Sequence, residues 1–223
     1  MNHIAVAIDG PSGAGKSSIA KRLAATLGYV YVDTGALYRT IGYATIKAGI
    51  DYKDEDKVIA LLPSIKVNLR YIDGTQHVFL NEDDVSQYIR TPEVSMAASA
   101  VSAIPKVREF LFNTQQEIAH QNDVIMDGRD IGTVVLPFAQ VKIFLTASAE
   151  VRAKRRYIEL TEKGMDVNYD DILKDMIERD YNDSHREIAP LKPAEDSVLI
   201  DTSDKTFEES VQLLYDAVQS KLS

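Results

Sequence analysis

Residues 10–17 read Gly10-Pro11-Ser12-Gly13-Ala14-Gly15-Lys16-Ser17, a complete G-x-x-x-x-G-K-[ST] phosphate loop directly after the apolar run Ile4-Ala5-Val6-Ala7-Ile8. Nothing else in the chain narrows its fold as much, because this loop has its meaning between a buried strand and the start of a helix. The glycines let the backbone turn tightly enough to aim its N–H groups at phosphate oxygens, and the helix that follows adds its positive N-terminal end. A nucleoside triphosphate is the expected ligand. Residues 10–17 and the adjoining Ser18 would cradle its phosphates, Lys16 would reach the β and γ groups, and Ser17 would ligate Mg2+.

Downstream, strand and helix signals alternate. Residues 18–27 have helical periodicity through Ile19, Leu23, Ala24 and Leu27 and stop at Gly28. Residues 29–32, 123–126, 141–145 and 198–200 read as short apolar strands, and 35–48 as a helix closed by Gly49. Phe207, Val211, Leu214, Val218 and Leu222 recur at helical spacing and should lay one apolar face on the sheet. Strands separated by helices in this way imply a five-stranded parallel sheet flanked by helices. One segment breaks the pattern. Ile65-Lys66-Val67-Asn68-Leu69-Arg70-Tyr71 alternates apolar and polar, Asp73-Gly74 supplies a turn, and Val78-Phe79-Leu80 resumes as a strand, which is an antiparallel hairpin inserted over about residues 62–90. Thr91-Pro92 then reads as an N-cap and first helical position, and Ile104-Pro105 restarts a helix that runs toward Gln121. The acidic cluster at 51–56 reads as a solvated loop and helix start.

At 223 residues the natural organisation is one α/β domain over 1–223 carrying an inserted subdomain. The net charge of -9 argues against a nucleic-acid-binding surface, so any polyphosphate site must be local. With no cysteine, disulfides and thiolate catalysis are excluded. Met1 leads straight into the first strand with no signal-like segment, and no apolar stretch approaches membrane-spanning length. The expectation is a cytoplasmic monomer with neither nucleic acid nor membrane as partner. His3, His77, His120 and His185 lack ligand spacing and are assigned to no metal.

A phosphate loop alone leaves kinases, GTPases and ATP-driven machines open. The chain lacks an Asn-Lys-x-Asp or Thr-Lys-x-Asp base-reading motif and is short for a motor, which favours a kinase. Arg39, Arg108, Arg129, Arg152, Arg155, Arg156, Arg179 and Arg186 supply what an acceptor with its own phosphate needs, since guanidinium forks hold phosphate oxygens in fixed geometry. By helical spacing, Arg152, Arg155 and Arg156 share one face, and Arg179, Asp183 and Arg186 another. A kinase for another small acceptor, and a regulator that binds nucleotide without transferring phosphate, remain the rival readings.

The phosphate loop, Asp33-Thr34-Gly35-Ala36-Leu37-Tyr38-Arg39, Asp127-Gly128-Arg129-Asp130-Ile131-Gly132-Thr133-Val134-Val135, and Arg179-Asp180 with Asp183 and Arg186-Glu187-Ile188-Ala189-Pro190-Leu191 together resemble the bacterial cytidylate kinases over nearly the whole chain. The resemblance implies a P-loop nucleoside monophosphate kinase fold with a short lid at about 150–168, and an acceptor-binding region over 33–122. It implies transfer of the γ-phosphoryl group of ATP to CMP or dCMP, with Mg2+. It further implies that Ser99, Arg108 and Asp130 read cytosine, that Arg179 and Asp183 hold the sugar with Arg186 near the nucleoside, and that Arg39 and Arg129 hold the acceptor phosphate, with Thr34 and Tyr38 in the same substrate set. Thr34 stands where other members carry Ser, and both offer a hydroxyl.

The chemistry of the residues agrees at Asp130, because a carboxylate accepts from the exocyclic amine of cytosine and meets O4 of uracil with like polarity. Arg155 is the preferred lid contact to the triphosphate. Lys16, Arg129 and Arg155 would spread transition-state charge in a direct in-line transfer, and Asp127, at the end of an apolar strand, is suited to orienting water on Mg2+.

Overall fold

The computed structural model describes residues 3–222. Met1, from which the first strand was expected to follow directly, lies outside the described residues. In chain order the elements are β1 (Ala5–Asp9), α1 (Lys16–Leu27), β2 (Val30–Asp33), α2 (Thr34–Lys47), α3 (Glu55–Leu61), β3 (Val67–Ile72), β4 (Thr75–Leu80) and β5 (Asp83–Asp84). There follow α4 (Pro92–Val101), α5 (Pro105–Gln121), β6 (Val124–Gly128), a π-turn at Ile131–Val135, β7 (Val141–Thr146), α6 (Ala149–Glu162), α7 (Tyr169–His185), β8 (Val198–Asp201) and α8 (Phe207–Leu222). The chain divides into two compact units, one running to Tyr31 and resuming at Asn122, the other spanning Val32–Gln121.

Among the described residues, a five-stranded parallel sheet has the order β2-β6-β1-β7-β8, and its four strands β6, β1, β7 and β8 lie wholly in the first unit. β1 sits at its centre, pairing Ala5 with Val124 and Val6 with Val141. Flanked by strands on both edges and covered on both faces, β1 is buried at every position, so an unbroken apolar run was its proper sequence signature. Val6, Ile8, Leu23, Ile125, Ile143, Leu145, Leu214 and Val218 make one core between sheet, α1 and α8. Each such side chain stabilises the unit by about 1.5–3 kcal/mol relative to exposure.

The Val32–Gln121 unit has a different logic. Its three-stranded sheet, order β3-β4-β5, is antiparallel, and the hairpin turns at Asp73-Gly74, where both residues have positive φ (50° and 73°). The first hairpin strand begins at Val67, two residues later than alternation suggested, because Ile65 still closes a 3-10 turn over Leu62–Ser64. Helices α2 and α4 pack so closely that a Cβ on Gly42 would sit 2.9 Å from the backbone nitrogen of Ala98. Leu37, Ile41, Val58, Ile89, Val101, Val107 and Leu111 fill the core. Thr91 caps α4 by accepting from Val94 N, with Pro92 at the first helical position, and Asp54 caps α3.

Candidate active site

β1 delivers the phosphate loop at its C-terminal end. Gly10 has φ 149°, and a Cβ there would meet the carbonyl oxygen of Leu145 at 1.9 Å, so the loop can leave the sheet only through glycine. Lys16 begins α1, is buried, and donates from Nζ to the carbonyl of Pro11 at 2.7 Å, folding its ammonium back across the loop. Burial and the nearby Arg129 pull its pKa well below the ordinary lysine value, against Asp127, Asp9 and Asp183, which raise it. A lysine in that state gains from any further negative charge brought to the loop.

Ser17 donates to Asp127 Oδ2 at 2.9 Å, and the Tyr31 hydroxyl donates to Oδ1 of the same carboxylate at 2.8 Å. The serine hydroxyl and the carboxylate form a hard-oxygen pair of the kind Mg2+ takes alongside waters and phosphate oxygens. The pair therefore fits the ion: Ser17 would ligate it and Asp127 would orient its waters.

Beyond Asp127 the chain continues through Gly128 into Arg129 and Asp130. Arg129 donates from Nε to Asp183 Oδ2 at 2.8 Å, and Arg186 donates to Asp130 Oδ1 at 3.3 Å. Burial pushes Asp183 upward, but Arg129, Arg179 and Arg186 together hold it below the usual carboxylate value. Asp183 lies on α7, one turn after Arg179. Arg186 stands at the C-cap of that helix, its N–H still donating to Asn182 O at 3.1 Å. The helix ends at His185, Arg186 is its C-cap with extended backbone (ψ 142°), and Ala189 turns the chain at φ 51° before Pro190, which cannot continue a helix.

The three arginines of α6 also diverge. Arg152 is buried and donates to the carbonyls of Ser12 (2.9 Å) and Ala147 (2.8 Å) and, with both terminal nitrogens, to Asp180 on α7. It thus ties the phosphate loop to the helix of Arg179 and Asp183. Arg155 donates to Thr202, at 2.7 Å to the carbonyl, and Arg156 pairs with Glu159 on its own helix.

Within the other unit, Asp33 caps α2 by accepting from Ala36 N at 3.0 Å and holds Arg39 (2.7 Å) and Arg90 (3.4 Å). Arg39 Nε is buried without a hydrogen-bond partner. Thr34 is buried at the first position of α2, and Tyr38 lies one turn along, its ring 5.8 Å from the Arg108 guanidinium. Arg108, on α5, donates to the carbonyl of Ser102, whose own hydroxyl donates to the carbonyl of Ser99 on α4.

Sequence reasoning passed over Asp9, Tyr31, Asp33, Arg90 and Asp180 as individual side chains. Asp9 had a signal, an acid closing a strand that is otherwise wholly apolar, and Asp33 had the N-cap position before Thr34. Asp9 accepts from Ile131 N and Gly132 N, each at 2.7 Å. Burial and the neighbouring Asp130 push its pKa up to about 7, while those two N–H groups and Lys16 pull it down. Tyr31, Arg90 and Asp180 had none, since each matters only through a partner distant in sequence.

A sequence model of the cytidylate kinase family matches residues 6–220. The chain is 51% identical over 226 residues to a cytidylate kinase of Caldicellulosiruptor bescii and 48% identical over 223 residues to one of Leuconostoc mesenteroides, with all of both chains covered in each case. A solved structure of an uncharacterized protein from Eubacterium ventriosum shares the fold at 14% identity and TM-score 0.55, covering 98% of this chain and 99% of that one. The phosphate loop, the acidic and basic run after β6 and the full-length match agree: this chain is a kinase that belongs to the cytidylate kinase family.

Proposed function

We propose that the chain transfers the γ-phosphoryl group of ATP to CMP or dCMP, giving ADP and the corresponding diphosphate by direct in-line transfer. The observation that carries this reading is the stretch Asp127-Gly128-Arg129-Asp130. At one end it holds the phosphate-loop serine, and at the other it is paired with Arg186 and with Asp183 of α7. Donor and acceptor chemistry therefore fall within four consecutive residues at and just beyond the end of β6, which is the positioning a displacement between two phosphates requires.

Lys16 and Arg129 spread the charge that develops on the transferring group, and Arg155, held at Thr202 in this conformation, would join them when α6 closes over the triphosphate. Ser17 would ligate Mg2+ and Asp127 would orient its waters, and the ion would supply charge neutralisation on the phosphates. Asp130 accepts from the cytosine amine, with Ser99 and Arg108 completing recognition of the base. Arg179 and Asp183 hold the sugar, with Arg186 beside the nucleoside. Arg39, whose buried Nε needs an acceptor, takes the acceptor phosphate together with Arg129, Thr34 and Tyr38. No nucleophilic side chain is needed. No helix among the described residues is long and apolar enough to cross a membrane, and a cytoplasmic monomer fits the reading.

The test is a coupled ADP assay with ATP, with and without Mg2+, over CMP, dCMP, UMP, AMP and GMP. The two cytidylates should respond best and purines should be nearly inert, because a wrong base leaves buried polar groups unpaired at roughly 1–3 kcal/mol each. AMP or GMP as best acceptor would redirect the substrate assignment. ATP binding without ADP formation from any acceptor would instead mark a nucleotide-binding regulator.

A further inference from the structure

The π-turn at Ile131–Val135 opens on Asp130, which occupies the position from which an aspartate ordinarily turns its carboxylate onto the second or third N–H of the turn, here Gly132 or Thr133. Here it makes no such cap. The two leading N–H groups, of Ile131 and Gly132, donate instead to Oδ1 and Oδ2 of Asp9, each at 2.7 Å, one oxygen to each nitrogen. Asp130 is thereby turned toward Arg186. Asp9 is buried at the last position of β1, immediately before Gly10 of the phosphate loop, and the nearest heavy atoms around Gly132 include its carboxylate.

We infer that Asp9 is a specificity-determining positioning residue: by capping the turn in place of Asp130 it keeps the Asp130 carboxylate on the acceptor base. The inference rests on the proposed role of Asp130 in reading cytosine. Asp9 touches neither nucleotide on this view; it acts by occupying the Gly132 N–H, which would otherwise recapture Asp130. A symmetrical two-oxygen acceptor is what this job needs. An amide at the same place could accept from one N–H but would oppose its own NH2 to the other. The proximity of Asp130, which raises the pKa of Asp9, is consistent with two carboxylates held side by side and kept apart only because separate donors engage them.

Steady-state kinetics of Asp9→Asn, Asp130→Asn and the double variant, with CMP and UMP as acceptors, test this. Asp9→Asn should raise KM for CMP about tenfold or more and lower the CMP to UMP ratio of kcat/KM, with KM for ATP changed less than about twofold. In the Asp130→Asn background the further loss of the ratio should vanish, because Asp9 would then have no carboxylate to hold in place. An equal loss with both acceptors, a matching rise in KM for ATP, or an undiminished effect in the double variant would overturn the inference while leaving the role of Asp130 intact. An unchanged ratio in Asp130→Asn alone would instead remove base reading by Asp130, and this inference with it. If Asp9→Asn does not fold, Asp9→Glu decides: it keeps the charge and both acceptor oxygens but moves them by one methylene off the Ile131 and Gly132 N–H groups, and a CMP to UMP ratio unmoved in that folded variant would overturn the proposal.

Discussion

Among the described residues, the unit that carries the phosphate loop buries Asp9, Asp127, Asp130, Asp183, Lys16 and Arg152, whereas the Val32–Gln121 unit buries one carboxylate, Asp33, and one guanidinium, Arg108. The first unit thus spends much of its interior on charge that must be matched residue by residue: Arg129 with Asp183, Arg152 with Asp180, Asp130 with Arg186. The second rests on an aliphatic core, with most of its ion pairs at the rim, such as Arg70 with Glu82 and Lys106 with Glu109. Buried pairs are weak sources of net stability but costly to break from one side, while rim pairs matter little either way. The contrast therefore predicts where a single substitution costs most stability: at the one-sided loss of a buried pair in the first unit, and least at the rim of the second.

The largest effect is expected at Lys16. Replacing it by Met keeps an apolar stem in the site but removes the charge on the transferring group, and kcat should fall by about 10³-fold, roughly 4 kcal/mol, with circular dichroism unchanged. Turnover near the wild-type rate in the folded variant would deny the loop its role in transfer.

Next comes Asp183→Asn, which leaves Arg129 without its ion-pair carboxylate at a cost of about 3 kcal/mol in urea unfolding. The pH dependence has a definite sign. Because Asp183 is held below its ordinary value in the folded state, its contribution is complete above an unfolded carboxylate pKa of about 3.9 and is lost as pH falls through the lowered folded value. The gap in Tm between wild type and Asp183→Asn should accordingly narrow as pH is lowered from about 5 toward 2. A gap that stays constant with pH would mean that packing, not charge, is what the substitution removes.

Asp33→Ala should be the mildest of the three. It removes the cap on α2 and the anchor of Arg39 and Arg90, for about 1–2 kcal/mol, most of it from the cap. Its kinetic signature should be a raised KM for the acceptor with little change in KM for ATP. If Asp33→Ala destabilises as much as Asp183→Asn, the contrast between the units fails.

What could be read in advance follows the same division between local and distant causes. The phosphate loop, the continuous apolar β1, the Asp73-Gly74 turn and the Thr91-Pro92 cap are each set by a few neighbouring residues, and each stands in the structure within a residue or two of its expected place. The π-turn was not legible, because Ile131-Gly132-Thr133-Val134-Val135 is β-branched and its conformation is held by Asp9, far away in sequence. Helical spacing treated Arg186 as part of the helix, whereas α7 ends at His185 and Arg186 is its C-cap, four residues before the proline at 190. In the candidate site, motifs named residues such as Lys16, Ser17, Arg129, Asp130 and Asp183, while the side chains that aim them emerged only with three-dimensional neighbours.

The order of the strands also bears on how the chain is made. β1 lies at the centre of its sheet, yet both strands that flank it, β6 and β7, come after the whole of the Val32–Gln121 unit. On the ribosome, where segments emerge from the N-terminal end, that contiguous unit is complete while β1 and the phosphate loop still have no partner strands. The nucleotide-gripping half of the molecule is thus the first to be started and among the last to be finished, and until β6 and β7 emerge its central strand β1, buried at every position in the finished fold, is exposed to whatever else in the cell binds nascent hydrophobic chain.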